Sequence, residues 1–276
     1  MALAAKVFGR WWGAASRPRR VVYTCLFGYS EQFNDFAYER GDDIDFICFT
    51  DDADLQSDFW IFKLVDPVPL DPARASKRIK VLPHQFLADH DWSLYIDNTI
   101  FLKTPPQHLF DAFLAHAPSP PVCFRHHERN CVYDEAEKVI ELGFDDPARV
   151  RAQMAHYREL GYPAQNGLAK GAFLLRRHHD PALVSLMERW YQQIVDYSKR
   201  DQLSLNPAMW LEKFNPTYLA QRFSDFELLD WPVIKDDIRL PPDFEDARYL
   251  QLHPDVNFNA RRHYLNYGFR EGRAYK

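Results

Sequence analysis

Short apolar runs that each end in a glycine or an acid, separated by helical stretches, constrain this chain more than any other feature. RVVYTCLFG, Arg20–Gly28, is β-branched and aromatic throughout and stops at a glycine, which reads as a buried first strand. DIDFICFTDD repeats the pattern, with a strand over Phe46–Thr50 followed by acids. FWIFKLV, Phe59–Val65, is the third candidate. DPARASKRIKVL then reads as a helix, with Asp71 as its N-cap and Pro72 at the first helical position. Pro83 ends or kinks that helix, because its ring removes a donor and crowds the preceding turn. Strands follow over Ser93–Ile96 and Ile100–Lys103, then a helix over Gln107–His116 and a strand in PVCFRH.

Two helices come next. In one, Val132, Ala136, Val139 and Ile140 share a face before Gly143. The other opens at Asp146-Pro147, carries Val150, Met154 and Tyr157 on one side, and stops near Gly161. GAFLLRR is a strand, and Asp180-Pro181 opens a long helix with Leu183, Met187, Trp190, Ile194 and Tyr197. Strands alternating with helices predict an α/β fold, a mostly parallel sheet with helices on its faces. The predicted organisation is a basic flexible arm over 1–19, a main domain over 20–240, and, after the break LPPDFED, a short helical module over 246–276.

With 276 residues, of which 46% are hydrophobic and 15% aromatic, the chain can bury a large core. A net charge of −5 argues against nucleic-acid partners. The cysteines, Cys25, Cys48, Cys123 and Cys131, form no CxxC pair, and two lie inside strand-like runs, which points to a reducing compartment. No run reaches the ~18–20 apolar residues that span a bilayer. Lys6, Arg10, Arg17, Arg19 and Arg20 all precede the first acid, Glu31, and Phe8, Trp11 and Trp12 lie among them. That arm is read either as a disordered extension or as a weak contact with an anionic membrane surface.

Four places carry candidate chemistry. Lys77, Lys80 and His84 fall at i, i+3 and i+7, with Arg74 one turn earlier. If the helix survives Pro83 they share a face, either solvated or phosphate-binding. Asp97, in WSLYIDNTIFLK, stands between two strand-like segments, as a turn cap or as one carboxylate for a divalent ion; Asn98 can add only a neutral amide oxygen. RHHER, Arg125–Arg129, ends a strand with ionisable groups but without His-x₃-His zinc spacing. In KRDQLSL, Asp201 stands where a helix begins, as its N-cap or, with Gln202, facing a sugar.

The order of these pieces is more specific than any one of them. The stretches YTCLFGY, DFICFTDD, SKRIKVLPH, LYIDNTIFL, FRHHERNCVYDEA, GAFLLRRH and RDQLS together resemble the glycosyltransferase-like family that includes plant turgor-defect and mucilage-related proteins and bacterial relatives. The resemblance runs from about Val21 to Trp210 and implies a GT-A-like, Rossmann-type sheet binding a nucleotide sugar at the carboxyl ends of its strands. It implies that Tyr23, Gly28 and Asp51 line the nucleoside pocket and that Lys77, Lys80 and His84 face the diphosphate. Asp97 takes the place of the first acid of an Asp-x-Asp motif, with Mn²⁺ or Mg²⁺ as its expected ion. Arg125, His126, Arg129 and Glu135 shape the sugar and acceptor side, and Arg200, Asp201 and Gln202 close the donor-sugar pocket; Asp201, Asp97 and His126 are the expected catalytic groups. The tail YLQLHPDVNFNARRHYLNYGFREGRAY resembles a short module appended to bacterial polysaccharide enzymes.

The expected activity is transfer of a sugar from a nucleotide-diphosphate donor to a glycan, in bacterial surface polysaccharide or lipopolysaccharide synthesis, in the cytoplasm or peripherally at the inner membrane. Two other readings compete with it: a non-catalytic glycan-binding module on the same fold, and a scaffold docked through the basic arm.

Overall fold

The computed structural model describes residues 18–28, 32–39, 41, 43–66, 71–114, 121–219, 228–233, 240–241, 243–256, 260–269 and 271–276. Nearly all of the basic arm lies outside the described residues. The chain runs β1 (Arg20–Leu26), β2 (Ile44–Thr50), β3 (Ile61–Leu64), α1 (Pro72–Val81), β4 (Trp92–Ile96), β5 (Phe101–Leu102), α2 (Pro106–Leu114) and β6 (Val122–Arg125). It continues with α3 (Val132–Glu141), α4 (Pro147–Glu159), β7 (Ala169–Arg176), α5 (Pro181–Asp196), α6 (Gln202–Leu211), β8 (Thr217–Leu219), β9 (Leu229–Asp230), α7 (Asp246–Leu252) and α8 (Ala260–His263).

Among the described residues, seven strands form one sheet in the order β3-β2-β1-β4-β7-β6-β8. Every pairing is parallel except those of β7, which runs antiparallel to both β4 and β6. The alternation of strands and helices therefore predicts the α/β class correctly, but not the reversed strand. GAFLLRR has the apolar content of any buried strand, and periodicity carries no direction. The segment after Asp97 also departs from its expected place. β5 pairs with β9 in a separate ribbon, because the chain turns out of the main sheet at Asn98.

The central strands β1, β2, β4 and β7 bury both faces, so their sequences are nearly continuous apolar runs. Val21, Tyr23 and Cys25 of β1 face a core shared with α1, α5 and α6; Val22 and Leu26 face the opposite core with Phe33, Trp60 and Phe110. A third cluster joins α3 and α4 to Leu203 of α6, and a fourth holds the C-terminal module around Tyr249. Strand order reverses at β1: the chain goes outward through β2 and β3, then returns through α1 to β4 on the other side of β1. In open α/β sheets the crevice at such a reversal, outside the carboxyl strand ends, is where ligands bind.

α1 begins as expected, with the Asp71 side chain accepting from Arg74 N. It ends at Val81, and Pro83–Gln85 form a separate 3₁₀ turn. Lys77 and Lys80 therefore share a helical face, while His84 does not continue it.

Candidate functional site

Three carboxyl strand ends meet at the reversal point. Gly28 follows β1, Asp51 follows β2 and Asp97 follows β4. Gly28 has φ +77°, and a Cβ there would lie 2.6 Å from Cβ of Pro72, so glycine alone lets the loop pass the start of α1. Its N–H donates to both oxygens of Asp51 at 3.1 and 3.2 Å. Asp51 thus fastens β1's exit loop to β2.

The chemical centre is a cluster of two lysines and two acids. Lys80, 3% exposed, places Nζ 2.6 Å from Asp201 Oδ2 and 3.7 Å from Asp97 Oδ1. Lys77 lies 4.0 Å from Asp201 Oδ1 and is more open. Asp97 also accepts from the Tyr95 hydroxyl at 2.9 Å, and Lys80 Nζ sits 4.8 Å from the centre of the Tyr95 ring. Two parts of this cluster come from elements far apart in sequence. α1 supplies the lysines at i, i+3; β4 and the start of α6 supply the acids.

Asp201 is not an N-cap. It adopts helical backbone angles, φ −54° and ψ −27°, and its side chain makes no capping hydrogen bond. It turns instead to the two ammonium groups. Burial opposes its charge, but Lys77 and Lys80 outweigh burial and hold the carboxyl well below its ordinary range. Burial likewise works against charge on Lys80, yet Asp201 and Asp97 raise it above the usual lysine value. Burial dominates at Lys77 and lowers it despite Asp201. The cluster is a mutually stabilised set of charges whose open members are Lys77 and Asp97.

Gly171 of β7 makes room for it. A Cβ at that position would stand 3.2 Å from Asp201 Oδ2 and 3.3 Å from Lys80 Nζ. Sequence reasoning missed this residue; the glycine inside an otherwise apolar strand was the available signal, since such a position marks close approach. It also missed Arg176. This fully buried guanidinium donates to the Lys80 carbonyl at 2.8 Å and to the Tyr23 hydroxyl, which itself donates to that carbonyl. Tyr23 is therefore packed behind α1, not on a nucleoside pocket, and helps to fix the backbone from which Lys80 projects.

Asn98 is committed elsewhere. Its Oδ1 accepts from Asn34 N at 2.9 Å, and its Nδ2 donates to the Gln32 carbonyl at 2.7 Å. The residue at the middle position of the Asp-x-Asp spacing thus ties down the 32–36 segment, and Thr99 stands where the second acid would be. Among the described residues, no three His, Cys, Asp or Glu side chains form a metal-binding group. Of the two acids in the cluster, Asp201 is held by Lys80, and Asp97 is shared between Tyr95 and Lys80. This donor set does not fit a protein-held divalent ion, because an ammonium stands between the carboxylates that would bridge it.

The remaining expected residues fall into other groups. His84 faces Glu188 of α5 at 3.7 Å, away from the lysine pair. Gln202 donates to the Ala169 carbonyl at 3.2 Å, so its amide is used on the backbone. Arg200 lies over the Phe144 ring at 4.9 Å. His126 accepts from the main-chain N–H of Glu128 and of Arg129 at its Nδ1, and burial, reinforced by Arg129, lowers its pKa to about 4. Arg129 pairs with Glu135 and Glu128, closing that loop on itself. Arg125 is set apart. Its guanidinium stacks 4.2 Å above the Tyr218 ring at the mouth of a cleft of about 790 Å³.

A family model described as TOD1/MUCI70, glycosyltransferase-like domain, matches residues 52–229, well over half of the chain. The chain is also 24% identical over 191 residues to the probable hexosyltransferase MUCI70 of Arabidopsis thaliana, covering 66% of this chain and 33% of that protein. It therefore spans about a third of the length of that relative. No helix among the described residues is long and apolar enough to cross a membrane. The matched segment contains both lysines, both acids of the cluster, the reversed strand and the cleft, and on that match the chain belongs to the TOD1/MUCI70 glycosyltransferase-like family.

Proposed function

We propose that this chain transfers a hexosyl group from a nucleotide-diphosphate sugar to a glycan acceptor. The observation that carries the reading is the Lys77–Lys80–Asp97–Asp201 cluster at the carboxyl edge of β1 and β4, at the reversal of strand order. When a glycosyl bond to a diphosphate breaks, negative charge grows on the departing phosphate oxygens. Fixed cations aimed at that place stabilise it without reorganising. Lys77 meets the diphosphate from the solvent side, and Lys80 supplies field from behind. Asp201 keeps Lys80 charged and in place, and Asp97 faces the hydroxyls of the donor. In this reading the two ammonium groups neutralise the diphosphate, so no step is routed through a divalent ion.

The resemblance of the C-terminal tail to a module of bacterial polysaccharide enzymes supports a setting in bacterial surface polysaccharide or lipopolysaccharide synthesis. The basic arm supports a peripheral position on the cytoplasmic side of an anionic membrane.

Calorimetric titration with nucleotide diphosphates and their sugars tests the proposal. Lys77→Ala is expected to weaken binding about tenfold or more, the loss of one charged hydrogen bond of ~1.5–3 kcal/mol, with folding unchanged. Asp97→Asn is expected to weaken donor binding equally with and without Mn²⁺. Unchanged affinity in Lys77→Ala defeats the diphosphate site. A loss in Asp97→Asn confined to Mn²⁺-containing buffer defeats the metal-free reading.

A further inference from the structure

The cleft beside Tyr218 has a composition unlike its surroundings. The chain as a whole carries a net charge of −5, yet among the described residues the only charged ones lining this cleft are cations, Arg125 and Lys213. Both are exposed, and neither forms an ion pair with a carboxylate among the described residues. The neighbouring Arg129, by contrast, is held by two glutamates. The rest of the described wall is mostly amide and aromatic, with Met209, Leu211 and Pro216 beside them. Trp210 is 37% exposed, with its ring edge-on to Tyr162 at 5.5 Å. Tyr218 accepts from Asn206 Nδ2 at 3.0 Å and carries the Arg125 guanidinium on its face.

The cleft is joined to the charge cluster by a short, rigid path. Asn206 Oδ1 accepts from Ala169 N at 2.6 Å, and Gln202 donates to the Ala169 carbonyl. These two side chains lie four residues apart on α6, about 6 Å along its axis. They hold the N–H and the C=O of one residue, Ala169, in the strand that carries Gly171 into the cluster. Gly167 lines the cleft at φ +84°, and a Cβ there would lie 3.2 Å from Asn206 Nδ2.

We propose that this cleft binds an acidic segment of the glycan acceptor, with a carboxylate or phosphate on Arg125 and Lys213 and a sugar ring against Trp210. Amides match the paired donors and acceptors of sugar hydroxyls. The indole offers an apolar surface to the C–H face of a ring. A guanidinium already stacked on Tyr218 is fixed in plane and meets a planar carboxylate with two parallel hydrogen bonds. A volume of about 790 Å³ falls within the roughly 300–1,000 Å³ range of small-molecule sites and exceeds what one hexose needs. The role as acceptor site rests on the transferase reading above; the binding chemistry does not.

The test uses the full chain and calorimetry with a linear uronic acid trisaccharide, a phosphorylated trisaccharide, a neutral trisaccharide and inorganic phosphate. The expected result is binding of one or both acidic trisaccharides at least tenfold tighter than the neutral one, weakening with salt. Arg125→Gln with Lys213→Gln should lower that affinity roughly tenfold or more per lost charged contact, and Trp210→Ala should also lower it. Preference between the uronate and the phosphorylated probe identifies the acid. Equal binding of the neutral trisaccharide, no binding of any trisaccharide, or unchanged affinity in the variants overturns the proposal. Inorganic phosphate binding as tightly as the trisaccharides also overturns it, as a plain anion site. A nucleotide-diphosphate titration on the same samples separates the two readings. Nucleotide binding without glycan binding defeats the cleft alone; glycan binding without nucleotide binding defeats the transfer reaction alone.

Discussion

The lysine–aspartate cluster and the cleft beside Tyr218 lie at the same edge of one sheet, one turn of α6 apart, and treat charge in opposite ways. In the cluster each buried ion has a counter-ion: Lys80 is only 3% exposed and stands 2.6 Å from Asp201. In the cleft Arg125 and Lys213 are exposed, with aromatic and amide neighbours and no carboxylate among the described lining residues. Burial explains the difference. Isolated ions taken out of water cost several kcal/mol each, so those behind α1 persist only as pairs. Cations at an open mouth keep their hydration and need no partner until a ligand arrives. The cluster is thus both fastener and catalytic candidate, and removing one of its buried members, Lys80 or Asp201, tests both roles together. The two exposed cations of the cleft can be altered with little effect on folding.

The largest break in this contrast should come from Asp201→Ala. It leaves Lys80 buried with only Asp97, 3.7 Å away, and should cost about 3–5 kcal/mol in urea unfolding. Lys80→Met combined with Asp201→Leu should recover much of that stability while leaving nucleotide binding lost. If the double variant is as unstable as the single one, the pair is mainly structural. Asn98→Asp comes next. It would add a second carboxylate directly beside Asp97, one position short of Asp-x-Asp spacing, and it replaces the donor to the Gln32 carbonyl with an acceptor. The expected cost is about 1–3 kcal/mol, with no gain in Mn²⁺ affinity by calorimetry. Tight Mn²⁺ binding in this variant would show that one carboxylate separates the site from a metal clamp.

Glycine substitutions give a smaller, paired comparison. Gly171→Ala presses on Asp201 and Lys80 and should weaken nucleotide binding, with about 1 kcal/mol lost in stability. Gly167→Ala, forced to hold φ +84°, should cost about 1–2 kcal/mol and leave nucleotide binding intact. Equal effects on nucleotide binding would mean that the two regions act as one site.

Acid separates the regions most gently. The folded pKa of His126 is lowered to about 4 from 6.5, so the unfolded chain binds more protons between those values. Its stabilising contribution is complete above about pH 6.5 and fades as pH falls toward 4. The carboxyl of Asp201 is depressed below 3.8, so its contribution persists above that value and is lost only as pH falls further. A chemical-denaturation series against pH should show His126→Asn with a shallower slope between pH 6.5 and 4. His178, lowered to about 3, keeps part of that slope. An unchanged slope in His126→Asn would place the titration elsewhere.

Much of the fold is legible because it depends on local signals. Asp71-Pro72, Asp146-Pro147 and Asp180-Pro181 each mark a helix start, and all three acids cap as expected. The apolar runs of β1, β2 and β4 announce strands buried on both faces. Lys77 and Lys80 share a face because three residues make nearly one helical turn. The same local logic leaves Asp201 undecided between a cap and a functional carboxylate. A carboxylate before a helix is ordinarily a cap, and nothing nearby in sequence shows two lysines from a helix over a hundred residues earlier. His84 errs the other way: its spacing from Lys77 fits a helix, but Pro83 ends that continuity.

What the sequence determined by itself is therefore the set of elements, the α/β class and the residue types able to meet a diphosphate, since each follows from periodicity, capping and side-chain chemistry within a few residues. Only the tertiary structure decided that β7 is reversed, that Gly171 opens space for the Lys80–Asp201 pair, that Asn98 holds a loop, and that Arg125 and Lys213 share a cleft. These facts depend on which distant groups are brought into a common low-dielectric or open environment. Burial and pairing across the chain have no local period from which they can be read.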